Sequence, residues 1–207
     1  MLSPENWAYD GDVTHYSYDP EKARQLLDQA GYPAGGNGMR GLRFEFKTTP
    51  EGARLGEVFQ AMFRRVGIEL TIRTLDFATF YADIQAGSFD LTSLQWIGIK
   101  DPNFYMVFDS KKTPPHGLNR SYYSNPTMDR LVEAGMTTVD PEARKQIYSH
   151  VQQLAADDLP YVSLWWVDNV AVMNRRLVGF EPYPNGSFRS LATLTLDPPG
   201  GGAEPSQ

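Results

Sequence analysis

An α/β fold, with a mixed or parallel sheet flanked by helices, follows from three features of the chain. Residues 42–49 read as a strand, and Ile68, Leu70 and Ile72 alternate with Glu69, Thr71 and Arg73 at strand spacing. Between them Leu55, Val58, Phe59, Met62, Phe63 and Val66 fall on one helical face, which Gly67 closes. A second helix carries Phe77, Phe80, Tyr81 and Ile84, capped by Asp76 and ended by Gly87, before a third strand rises into Trp96. The order β-α-β-α-β calls for a sheet covered by helices. Ligands of such sheets sit off the carboxyl ends of the strands, where residues 96–102 lie.

The remaining elements follow in order. Residues 1–15 form a polar, aromatic-dotted lead-in. Asp19 and Pro20 start a helix whose Ala23, Leu26, Leu27 and Ala30 face inward, and Gly31 stops it. A glycine-rich loop covers 33–41, and the sheet unit runs from Leu42 to about Trp96. A short helix is expected over 103–109, then a polar, proline-containing loop over 110–124. Asn125-Pro126 starts a helix reaching about Met136. Asp140-Pro141 starts another, with Ala143, Ile147, Val151, Leu154 and Ala155 on one side and Pro160 beyond its end. Residues 161–173 are β-rich, with Val162, Leu164 and Trp166 alternating against Ser163, Trp165 and Val167. Trp165 and Trp166 then point to opposite faces, one to the core and one to a cleft or interface. Residues 197–207 have the composition of a disordered tail.

Charge and composition narrow the function. The net charge of −6 argues against a nucleic-acid partner, which needs a basic surface. With no cysteine, thiol catalysis, disulfides and cysteine-ligated zinc are excluded, and an oxidising compartment is acceptable. No apolar run approaches membrane-spanning length, and Met1 leads into a polar stretch rather than a secretory leader.

Several patterns have bland readings that suit them better. Residues 36–41 match G-x-G-x-x-G, but a helix precedes and a strand follows, the reverse of a dinucleotide site, so the segment reads as a turn. His15, His116 and His150 lack metal-ligand spacing. Asp157 and Asp158 are adjacent on a helix and do not face each other, which reads as solvated surface. No G-x-S-x-G nucleophile elbow is present.

The candidate ligand-binding residues are Trp96, Gly98, Ile99, Lys100, Asp101, Asn119, Arg120, Tyr122 and Tyr123. Trp96 fits either core or cleft wall, and its place at a strand's carboxyl end before Gly98 favours the wall. An indole offers a flat apolar face and one donor. Asp101 with Pro102 reads first as the cap of the following helix and second as a ligand contact. Asn119, Arg120, Tyr122 and Tyr123 are either an ordinary surface cluster or a site where arginine grips a carboxylate.

The order of pieces resembles the carboxy-terminal part of extracellular solute-binding proteins of family 5, the dipeptide/oligopeptide/nickel type. The pieces are YDPEKARQLLDQAGYP (18–33), the strand-helix-strand unit ending at 91, WIGIKDP (96–102), RSYYSNPTMDRLVEAG (120–135), the segment 140–166 and NRRLVGFEPYP (174–184). The resemblance implies a lobe of the type II periplasmic-binding-protein fold. It divides the chain into a lead-in and first helix (1–41), a second ligand-binding lobe (42–160), a return or hinge segment toward a first lobe (161–196) and a tail (197–207). It implies a substrate-binding component of an ABC importer that closes two lobes on a peptide-like or other small solute and delivers it to a membrane permease. No cofactor, metal or catalysis is implied. The place implied is periplasmic or extracellular and membrane-associated, and the chain is expected to be one piece of a longer protein whose first lobe lies elsewhere. An α/β hydrolase or a solute sensor are the alternatives. In peptide-binding relatives of this type the loop after the tryptophan is longer and supplies an extra aspartate for the ligand's α-ammonium. Here Ile99 or Lys100 takes that place, so a ligand without a free amine there is expected, with Lys100 or Arg120 as partners.

Overall fold

A computed structural model of the chain describes residues 2–96, 101–102, 104–183 and 186–197. Three strands, β1 (Arg43–Thr48), β2 (Glu69–Thr74) and β3 (Leu91–Thr92), form a sheet in the order β2-β1-β3. Both pairings are parallel, so the crossovers must be helical. They are α2 (Ala53–Arg65), which follows a short 3-10 turn at Pro50–Gly52, and α3 (Phe77–Gln85). Central β1 buries both of its faces. Phe46 meets Phe59 of α2 edge-on, with ring centroids 5.5 Å apart. Gly56 lets α2 come this close, since a Cβ there would stand 3.0 Å from the Phe46 ring. On the opposite face Lys47 donates to Asp83 of α3 at 2.7 Å, and also to the Ser88 carbonyl. A buried ammonium is tolerable only with such partners.

The second layer is helical: α4 (Phe104–Phe108), α5 (Pro126–Thr137) and α6 (Pro141–Asp158). Phe104, Val107, Phe108, Met128, Val132, Tyr148, Val151 and Ala155 fill its core. The caps are those the sequence points to. Asp19 starts α1 (Pro20–Gln29), and Asp76, Asn125 and Asp140 each accept from a backbone N–H of the first turn they precede. A small antiparallel pair, β4 (Leu177–Val178) and β5 (Thr195–Leu196), ends the described chain.

Five expectations need correction. The strand expected up to Trp96 is ladder-bonded only at Leu91–Thr92, because only Phe46 and Lys47 of β1 lie opposite it. α1 buries none of its residues, Leu26 included. Polar ties hold it instead: Arg24 donates to the Arg65 carbonyl at 2.8 Å, and buried Arg40 reaches Asp28 and the Val66 carbonyl. The lead-in is part of the core, with Leu2 and Ala8 buried and Gln152 donating to the Ala8 carbonyl at 2.8 Å. Asp157 and Asp158 are tied rather than merely solvated. Asp157 accepts from Thr14, while Asp158 accepts from Tyr123 and, at 2.8 Å, from Asn125. Residues 161–173 form no strand, and both Trp165 and Trp166 are exposed. A strand needs a neighbour for its ladder, and among the described residues no strand pairs with these. Residues 198–207 of the expected tail lie outside the described residues.

Candidate functional site

The carboxyl ends of β1, β2 and β3 define one edge of the parallel sheet. Trp96 lies four residues past Thr92 on that side, 38% exposed. It is therefore not part of the core. The Arg120 guanidinium carbon sits 5.5 Å from the Trp96 ring centroid, within cation–π range. Arg120 makes no ion pair among the described residues. Its stem is placed by its own backbone, whose N–H donates to the Tyr161 hydroxyl at 2.9 Å. That hydroxyl donates in turn to the Leu118 carbonyl at 2.7 Å. Burial raises the Tyr161 pKa, so the phenol stays protonated and able to donate.

The loop that presents Arg120 is held from inside. Asn119 is fully buried. Its amide donates to the Asp109 carbonyl at 3.1 Å and the Tyr123 carbonyl at 2.7 Å, and its oxygen accepts from the Tyr123 N–H at 3.0 Å. Its hydrogen-bonding capacity is thus spent on the loop. Tyr123 donates to Asp158, and burial together with that carboxylate raises its pKa. Tyr122 has φ +53°, a conformation uncommon for a residue with a side chain. Its hydroxyl fills the space where Gly87, itself at φ +68°, would carry a Cβ. The loop is thereby docked on the turn that leads from α3 into β3.

Asp101 has a long-range partner that spacing did not foresee, while the cap expected of it involves residue 103, which lies outside the described residues. Both of its oxygens accept from Arg144 of α6, at 2.9 and 2.8 Å. This hydrogen bonding raises the Arg144 pKa further. Gly98, Ile99 and Lys100 lie outside the described residues. Of the nine candidates, the structure brings Trp96 and Arg120 together and docks Tyr122 on the turn at Gly87, ahead of β3. It uses Asn119 and Tyr123 as supports and ties Asp101 to α6.

One wall residue escaped the sequence reading. Phe77 opens α3 just past the carboxyl end of β2, is mostly exposed, and stacks on Tyr81 at 5.8 Å with an interplanar angle of 11°. Its helical spacing with Phe80 and Tyr81 suggested core. The available signal was its place directly after the cap Asp76, on the sheet edge that carries ligands. No cluster of His, Asp and Glu able to hold a metal occurs among the described residues.

Comparison with known proteins places this arrangement. The oligopeptide-binding protein AppA of Bacillus subtilis is 28% identical over 202 residues, covering 91% of this chain and 37% of the relative. The dipeptide-binding protein of Escherichia coli is 28% identical over 163 residues, covering 77% of this chain and 30% of the relative. The chain thus spans about a third of the length of these relatives. The solved structure of Bacillus subtilis AppA in complex with a nonapeptide superposes with a TM-score of 0.83 at 24% identity, over 95% of this chain and 41% of that one. That likeness fixes the fold as a type II periplasmic-binding-protein lobe. The family model for the middle part of bacterial extracellular solute-binding proteins of family 5 matches residues 1–115, more than half of the sequence. With the wall at the sheet edge and this match in hand, the chain belongs to the bacterial extracellular solute-binding proteins of family 5.

Proposed function

We propose that this chain supplies one wall of an interlobe cleft in the substrate-binding component of an ABC importer. The protein that carries it captures a peptide-like or other small solute and delivers it to a membrane permease from the periplasmic or extracellular side. The observation that carries this reading is the Arg120–Trp96 pair. It is a half-exposed cation stacked on an exposed indole, without a carboxylate partner among the described residues, at the carboxyl edge of a parallel sheet. Such a pair accepts a ligand with an apolar body and an anionic or carbonyl end. Phe77 extends the apolar wall toward α3. Binding involves no bond-making step. The ligand touches both lobes only when they are closed, and its differential affinity shifts the population to that state. The permease recognises the closed form.

The test is mass spectrometry of small molecules released from the complete, natively purified protein that carries this chain. A bound solute, lost when Arg120 and Trp96 are both replaced by alanine, is the expected result. A protein that releases no solute and instead turns over ester or glycoside substrates would overturn the reading.

A further inference from the structure

Arg144 makes more polar contacts than its place on a helix surface explains. Its Nη1 and Nη2 donate in parallel to the two oxygens of Asp101, at 2.9 and 2.8 Å. Nη2 also donates to the Tyr148 hydroxyl at 2.9 Å, and Nε donates to the Gly135 carbonyl at 2.9 Å. The guanidinium carbon lies 5.3 Å from the Trp7 ring centroid and 5.0 Å from that of Tyr148. One side chain thus joins the lead-in, the end of α5, α6 and the chain just ahead of α4.

The ties to Gly135, Tyr148 and Trp7 are the ordinary work of packing α5, α6 and the lead-in together. The fork on Asp101 is not, because that carboxylate is largely exposed and exposed ion pairs add little stability. A bidentate fork instead fixes geometry. Asp101 lies five residues after Trp96, and β3 grips the chain over only two residues before it leaves the sheet. Trp96 and Asp101 therefore take their side-chain partners from the helical layer: Arg120 for the first, Arg144 for the second.

We infer that Arg144 is a positioning residue for the ligand wall: by gripping Asp101 it fixes, from the helical layer, the downstream end of the chain that leaves the sheet after Thr92 and carries Trp96. It touches no ligand. The inference rests on Trp96 belonging to the ligand wall, as proposed above. A misplaced wall loses affinity even where the fold survives.

Two variants of the complete protein that carries this chain test this, Arg144→Lys and Asp101→Asn. The second keeps the shape of an exposed side chain and leaves Arg144 its other partners, so folding is not at stake. Hydrogen exchange over residues 93–102 should accelerate about tenfold in both variants, while in Asp101→Asn exchange in α5 and α6 stays as in the parent. A fluorescent pool of mixed-sequence nonapeptides is the binding probe, and affinity should fall about tenfold in both variants. The double variant should lose no more than the worse single one, because both remove the same contact. Unchanged exchange in Asp101→Asn overturns the inference. So does equal acceleration throughout α5 and α6 in that variant, which marks a merely structural role, and so does faster exchange with unchanged affinity. If the parent does not bind the pool, the peptide reading fails, and exchange alone decides the role of Arg144.

Discussion

Arg120 and Asp101 divide the charges near Trp96 unequally. Arg120 has no anion of its own among the described residues, whereas both oxygens of Asp101 are occupied by Arg144. An incoming ammonium thus meets an Asp101 whose charge is already paired with Arg144, and an ammonium left unpaired in a closed cleft costs several kcal/mol. If the solute is a peptide, that peptide and its N-acetylated twin should bind the complete protein with affinities within about tenfold. A loss on acetylation of about a hundredfold, roughly 2.7 kcal/mol, would reveal an amine anchor. A second charge acts on stability. Asp10 accepts from Ser149, from the Asp12 N–H at 2.8 Å and from Gln153 at 3.1 Å, and these bonds, that of Ser149 first, hold its carboxyl below the ordinary value. The folded state therefore releases this proton more readily than the unfolded chain. The stabilisation is complete above the ordinary carboxylate range, near pH 4, and is lost as pH falls through the lowered value. Acid titration of Asp10→Asn should show a shallower fall in stability below about pH 4 than the parent.

At the scale of elements, the closest approach is between α5 and α6. A Cβ on Gly135 would stand 2.3 Å from the ring of Tyr148, which is buried and already held by Arg144. Gly135→Ala gains at most about 1 kcal/mol of helix propensity. It forces either the ring off its rotamer or the helices apart, at about 1–3 kcal/mol. Urea unfolding should show net destabilisation of about 1–2 kcal/mol. A neutral or stabilised variant would mean that the two helices have slack. Among the described residues the 119–123 loop docks on the sheet unit at Gly87, and Arg144 ties Asp101 to α6.

Across the whole molecule the apolar surface is unevenly placed. Val162, Trp165, Val170 and Val172 all stand exposed along 161–173, and Trp166 meets Tyr9 edge-on at 6.2 Å. Exposed apolar area of this extent promotes association. Sedimentation of this chain alone should show self-association that rises with concentration and falls in the Val170→Asp, Val172→Asp double variant. A clean monomer at high concentration would contradict this. The wall at the sheet edge is also open on its far side, and good pockets bury roughly 70–90% of a ligand. Calorimetry on this chain alone should therefore give negligible heat with the solute released from the complete protein. Submicromolar binding by this chain would refute the two-lobe reading.

The sequence alone determined the elements whose cause is local. Asp19, Asp76, Asn125 and Asp140 cap the helices they precede, because a cap is a bond within four residues. The β-α-β-α-β order was likewise legible from spacing, whereas Val58 and Met62 of the expected α2 face stand exposed and the strand expected to reach Trp96 ends at Thr92. What spacing cannot tell is which surface a side chain meets across the fold. Leu26 has helical apolar spacing but stands exposed, and Leu2 lies in a stretch that reads as polar but fills a core. Residues 161–173 alternate like a strand, yet among the described residues no strand pairs with them, since pairing belongs to the partner as much as to the segment. The site divides in the same way. Residue types marked the 119–123 loop and Asp101, but only tertiary structure decided that Asn119 faces inward and Arg120 outward, and that the partner of Asp101 is Arg144, 43 residues away. Those pairings are long-range contacts between separate layers, and they exist only once the chain has packed.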